Sequence, residues 1–237
     1  MWSPRKLWLA GFLATGLATA GVATAASIQI GPTSILLVGP ERTAIVTVRN
    51  SDSSPVTVQV RGMDWSQNNG EDVQTPSATL VVSPPFATLQ PGESQTVRLL
   101  IENVEDAKTE RAFRLVIDEV PNPVTRASTG LQTTLRLVSP VFLSPSIESR
   151  PLLTWTTARS ANGVVLSVRN DGKAHERISD MQVSVDGKVV AEGAAFGGYV
   201  LANGSRSWVL PAAGAGDAVI TGAGNYGPVN ARVAIAR

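Results

Sequence analysis

His175 is the single imidazole of a 237-residue chain that contains no cysteine, and the chemistry open to the sequence is narrow from the start. Thiol nucleophiles, disulfide frameworks and Cys-ligated zinc are excluded, and one histidine cannot build a multi-histidine metal centre. A Ser–His–acid triad would have to use His175, which stands in Gly172-Lys173-Ala174-His175-Glu176-Arg177 just after a turn. No GxSxG elbow supplies an oriented serine, so the residue reads as a solvated or hydrogen-bonded surface histidine. Carboxylates gather at Glu102, Glu105, Asp106 and Glu110. They fall in a polar connection between strands, which reads as a solvated loop rather than a glycosidase acid pair. HExxH, P-loop and GxGxxG patterns are absent, and Gly214-Ala215-Gly216-Asp217 lacks the third glycine of a phosphate cradle. Trp65, Trp155 and Trp208 are scattered and read as core or rim anchors. No catalytic, metal or cofactor site is expected.

The elements that would carry any function are strands. Lys and Arg number 20 and Asp and Glu 19, a balance that argues against a nucleic-acid binder, which needs a clustered basic excess. Met1–Ala26 has cations at Arg5 and Lys6, an uncharged run from Leu7, and small residues ending in an A-x-A site. That order is a secretory signal peptide, so the mature chain is expected to be exported without stable membrane insertion. From Ser27 onward the period is two: Ala44–Arg49 and Val56–Arg61 alternate apolar and polar residues around Asn50–Pro55. Gln95–Leu100 and Phe113–Ile117 continue the series. These strands, all before about residue 125, predict one antiparallel sandwich of the immunoglobulin-like kind. A second block, 146–237, is long enough for another small sandwich. In it Val164–Arg169 runs into the tight-turn signal Asn170-Asp171-Gly172, and Met181–Val185 into Asp186-Gly187. Its Gly- and Ala-rich stretch from Ala212 to Asn230 gives only a weak strand signal.

Between the blocks lies a long strand-like segment, at about 130–143, in which Leu131, Thr133, Leu135 and Leu137 fall on one face. The pattern fits an ordinary core strand. Its place at the end of a domain also fits an edge strand whose apolar side chains form an interaction surface.

Several motifs resemble those of the periplasmic pilus-assembly chaperones of chaperone–usher pathways, and within them the archaic, spore-coat-U-like branch. They are Ser83–Gly92, Gln95–Leu99, Arg111–Pro121 and Ser139–Leu143, in matching order and spacing, with looser similarity at Asn170–His175, Tyr199–Leu201 and Ser205–Trp208. The resemblance implies an all-β boomerang of two immunoglobulin-like β-sandwich domains in the periplasm. It also implies a function without catalysis or cofactor: the last first-domain strand is inserted into the open groove of a pilin subunit, which is then delivered to an outer-membrane usher. The donor residues would be Leu131, Thr133, Leu135 and Leu137. Arg98 and Glu119 would be a structural charge pair buried near the interdomain cleft. The two cleft cations of better-known members fall at Ser34 and Pro140 here, so the subunit carboxylate would need another anchor, with Arg114 the first candidate and Arg136 the second. An extracellular or pilus-associated sandwich with a structural or adhesive role is the alternative.

Overall fold

A computed structural model describes residues 28–104, 108–121, 134–193, 195–211, 214 and 216–235. These form eighteen strands: β1 Ile28–Gly31, β2 Ile35–Val38, β3 Thr43–Asn50, β4 Val56–Asn68, β5 Glu71–Pro76, β6 Leu80–Ser83, β7 Phe86–Leu89, β8 Ser94–Ile101, β9 Arg111–Val120, β10 Arg136–Ser144, β11 Leu153–Ser160, β12 Gly163–Asn170, β13 Glu176–Val185, β14 Lys188–Glu192, β15 Gly198–Val200, β16 Ser205–Leu210, β17 Asp217–Gly224 and β18 Gly227–Ala234.

The first ten build one sandwich. A four-stranded sheet, β1-β3-β8-β6, faces a six-stranded sheet ordered β2-β10-β9-β4-β5, with β7 added to β4. The period-two residues do what alternation requires: Val46, Val48, Val97 and Leu99 from one sheet meet Val58, Val60, Phe113, Leu115, Ile117, Val141 and Leu143 from the other. Strand β4 is thirteen residues long and changes edge partner along its length, from β7 at Val56–Gln59 to β5 at Met63–Asn68. Gly62 lies in the gap between them, where an added Cβ would run into the carbonyl oxygen of Leu80. The hairpin then closes through Asn69 and Gly70, both at positive φ (51° and 86°), between register partners Asn68 and Glu71. This is the type I′ geometry that Asn-Gly favours.

The other eight strands build a second sandwich, β11-β12-β16 against β14-β13-β17-β18 with β15 on β13. Its core includes Val164, Leu166, Val168, Met181, Val183, Leu210 and Ile220. Trp155 and Trp208 stack on one another at 6.1 Å, in the anchoring role expected of them. Two sequence expectations are corrected here. Asn170-Asp171-Gly172 turns the chain, but from one sheet to the other: among the described residues β12 pairs β11 and β16 and not β13, and the Asn170 side chain is buried, bonding Leu152, Gly172, Ala174 and Val200. The weak stretch from Ala212 to Asn230 holds β17 and the first half of its partner β18. Its small residues have a packing reason, since a side chain at Gly222 would press on Ile178 and the Ser179 carbonyl.

Candidate functional site

Strand β10 is the segment that the leucine row singled out, and its two edges differ. One edge pairs β9 in antiparallel register from Arg136 to Leu143. The other pairs β2, in parallel, only from Val141 to Ser144. Among the described residues, Arg136 to Pro140 therefore have a strand partner on one side alone, and Pro140 fits there because an edge position tolerates a residue without an N–H. Before β10 begins, the Leu135 N–H reaches Glu119 Oε2 at 3.2 Å, and the Glu119 N–H reaches the Leu135 carbonyl at 2.9 Å. Leu135 and Leu137 share the inward face with buried Val141 and Leu143, and lie half-buried against the rim of the first core. Arg136 and Val138 point the other way and are exposed. Leu131 and Thr133 lie outside the described residues.

The outward face beside this edge carries charge. Asp118 of β9 is bound by Arg136, its register partner on β10, and by Arg61 of β4. Burial by itself would raise the Asp118 carboxyl, but hydrogen bonds from Arg136 and Arg61 outweigh it and hold the group below the ordinary carboxylate value. The expected Arg98–Glu119 pair is corrected by the topology. Arg98 belongs to β8 in the opposite sheet, exposed between buried Val97 and Leu99, whereas Glu119 is half-buried on β9 against Leu135. Strands in different sheets of a sandwich bring together only their inward residues, and Arg98 points outward.

At the other end of the same sheet the outward residues meet the second sandwich. Trp65, Phe142 and Leu201 form a small buried cluster joined by Ala112 and Tyr199, with Trp65 edge-on to Tyr199 at 5.2 Å. Gln67, near the tip of the β4–β5 hairpin, donates to the Tyr199 carbonyl at 2.7 Å and accepts from the Leu201 N–H at 3.0 Å. His175 is not the surface residue that sequence suggested: with Glu110 it is buried in this contact, 2.7 Å from Nδ1 to Oε1, with side chains 8% and 1% exposed. Glu110 likewise leaves the solvated loop assigned to it. The sequence contains no local sign of either, because the two residues are 65 apart and meet only when the sandwiches dock.

The cleft also places Arg114. It lies half-buried across from Pro140 in the β9–β10 register. Its guanidinium sits 3.9 Å above the Trp65 ring and binds Asp72 at 2.8 Å. Arg206 of the second sandwich reaches the same carboxylate at 3.7 Å. Two cations thus share one acid, a locally positive arrangement that can accept a further carboxylate. Arg206 was not among the sequence candidates, and it becomes one only through its neighbour across the cleft. Arg136, the second sequence candidate for an anchor, lies away from this cleft on the Asp118 face. An open recess of about 410 Å³ borders the same contact, lined in part by Trp65, Gln67, Glu110 and Leu201.

Comparison with known proteins places these features in a family. A family model described as pili and flagellar-assembly chaperone, PapD N-terminal domain, matches residues 27–147. The chaperone protein FimB/FhaD of Bordetella pertussis is 28% identical over 195 residues, covering 77% of this chain and 78% of its own. Among solved structures, a chain of the CsuC–CsuE chaperone–tip adhesion subunit complex of Acinetobacter baumannii, from archaic chaperone–usher pili, superposes with a TM-score of 0.70 at 22% identity, over 90% of this chain and 100% of that one. A chain of the Salmonella enterica SafA pilin–SafB chaperone complex follows at 0.61 and 18%, over 88% and 97%. The solved structures share the two-sandwich, all-β fold; the family model spans just over half of the sequence, including every strand of the first sandwich. The chain belongs to the pili and flagellar-assembly chaperones.

Proposed function

We propose that this protein is a periplasmic chaperone that binds, folds and caps pilus subunits by donating β10 and the segment before it, and then delivers them to an outer-membrane usher. The observation that carries this reading is that, among the described residues, Arg136–Pro140 pair with a strand on one side alone, beside half-buried Leu135 and Leu137. An exposed edge supplies backbone hydrogen bonds to an added strand whatever its sequence, and alternate side chains supply the pockets' contents. The inward row gives the mechanism its energy: Leu135 and Leu137 sit where the chaperone's own core ends, so a subunit docked there extends that core into its groove. Leu131 and Thr133 are assigned to the same donor row. Residues 27–145 and 146–237 are assigned to the two domains, the boundary falling between β10 and β11 after export removes 1–26.

The subunit's terminal carboxylate is assigned to the cleft, at Arg114 with Arg206, where one acid leaves two cations incompletely neutralised. The chaperone acts by binding alone, with no catalysed step and no cofactor. Co-expression with a secreted subunit from a neighbouring reading frame tests the reading. A one-to-one complex is expected on purification from periplasm through a tag on the subunit. Recovery of the chaperone free of subunit, or of this chain inside a heat-resistant surface polymer, overturns it in favour of a structural or adhesive sandwich.

A further inference from the structure

The contact between the sandwiches ends on the donor strand itself. His175, the residue before β13, lies flat on Phe142 of β10, with ring centroids 3.6 Å apart and planes 12° from parallel. Phe142 is two residues beyond Pro140, in the part of β10 that β2 clamps. One oxygen, Glu110 Oε1, lies 2.7 Å from His175 Nδ1 and accepts the His175 backbone N–H at 3.0 Å. The Glu110 N–H in turn donates to the Lys173 carbonyl at 2.9 Å. The far side of the imidazole, Nε2, is 3.2 Å from the Asn225 amide. Other groups around the pair are Glu176, whose carboxylate accepts the Asn225 N–H at 2.6 Å, and Tyr226, beneath Arg150 at 5.1 Å. Burial, and then the charge of Glu110, raise the Tyr226 phenol above its ordinary value.

Among the described residues the Glu110 carboxylate is bound by His175 alone. Its other oxygen, Oε2, is buried with no hydrogen-bond partner among the described residues. Removal of the imidazole leaves a buried carboxylate with only a backbone N–H, and a bare face on Phe142. Both costs fall if the second domain swings away and admits water. Removal of an ordinary core side chain offers no such escape.

We propose that His175 is a positioning residue for subunit capture: its stack on Phe142 and its bond to Glu110 hold the second domain at a fixed angle to the donor strand. The link to capture rests on the chaperone reading; the link to domain angle does not. Because the chain has no cysteine, Ser94→Cys and Lys188→Cys, both at exposed positions in different sandwiches, carry one nitroxide each without background. Pulsed electron paramagnetic resonance on the full mature chain then reads the interdomain distance. A single narrow distribution is expected for the parent. In His175→Ala it should broaden roughly twofold, and in His175→Gln, which keeps a donor toward Glu110 but no ring, it should fall between the two. Release of the subunit that co-purifies with the parent should quicken about tenfold in His175→Ala, the ratio set by one lost charge-assisted hydrogen bond. An unchanged distribution in both variants, even with a lower melting temperature, overturns the proposal, and His175→Gln decides the matter if the alanine variant does not fold. A broadened distribution with unaltered subunit release overturns the positioning of capture and leaves the chaperone reading intact. Failure of the parent to hold any subunit defeats the chaperone reading instead, while the distances still decide whether His175 sets the angle.

Discussion

Arg136 faces Asp118 directly across the β10–β9 ladder, and Arg61 closes on the same carboxylate from β4. Three neighbouring strands are thereby tied together on the outward face, next to the stretch of β10 that has no strand partner on its other side among the described residues. The tie is electrostatic, so acid should loosen it. With the folded carboxyl held below its ordinary value of 3.8, its contribution is complete above that value and disappears as pH falls through the lower folded one. Denaturant unfolding of the parent and of Asp118→Asn should differ at pH 7 by about 1 kcal/mol or less, because both arginines are well exposed. The gap should narrow progressively as pH falls below about 4, and a gap no smaller at pH 2.5 than at pH 7 would contradict the assignment.

The two faces of β10 should respond differently to charge. Under the proposed donor assignment, Leu135→Glu and Leu137→Glu place a carboxylate in the row assigned to the subunit's groove, and each should abolish co-purification of the subunit. Val138→Glu, on the outward and exposed face, should retain the complex. Since Leu135 and Leu137 are only half-buried, circular dichroism should still report folded chains for both inward variants. Equal loss in the inward and outward variants would argue against the assigned face.

Arg114→Ala and Arg206→Ala should each weaken subunit binding about tenfold, the scale of a hydrogen bond between charged groups. Asp72→Asn removes the acid they share and should strengthen binding. Titration calorimetry with the purified subunit, and with a subunit amidated at its C-terminus, separates the cases. An amidated subunit that binds as tightly as the natural one would remove the carboxylate from the cleft.

Gly62→Ala drives a methyl group into the Leu80 carbonyl at the point where β4 changes edge partner. The neighbour is backbone, which cannot rotate out of the way, so a loss of roughly 2–3 kcal/mol is expected. Urea unfolding measures it; a loss under half of that would mean that β4 relaxes at this residue.

Much of the architecture was legible because a sandwich writes its inward face into every second residue. Val46 and Val48, Val58 and Val60, and Leu115 and Ile117 alternate in the sequence and are buried together. The leucine row also stood out, and Leu135 and Leu137 occupy one face as the period requires. Contacts between strands far apart in the chain were not legible. Arg98 and Glu119 have the right charges for a pair, but no period shows that β8 and β9 belong to opposite sheets. His175 and Glu110 each sit among polar neighbours that suggest water, and their burial is decided by the docking of two surfaces. Asp180, at positive φ beside a register shift in β13, breaks the alternation so that buried Ile178 is followed by buried Met181. A bulge of this kind resets the period without a mark that a simple count would find.

The continuity of Leu135 and Leu137 with Val141 and Leu143 on one face of β10 has an evolutionary cost. A single row of side chains serves two molecules, inward at its lower end and, under the proposed mechanism, in the client at its upper end. A substitution that adjusts grip at Leu137 also changes the rim of the protein's own interior, so the chaperone cannot drift toward a new client without renegotiating its own fold. Variation should therefore accumulate first at Arg136 and Val138, which face away from both interiors, and sequences of natural variants would show it.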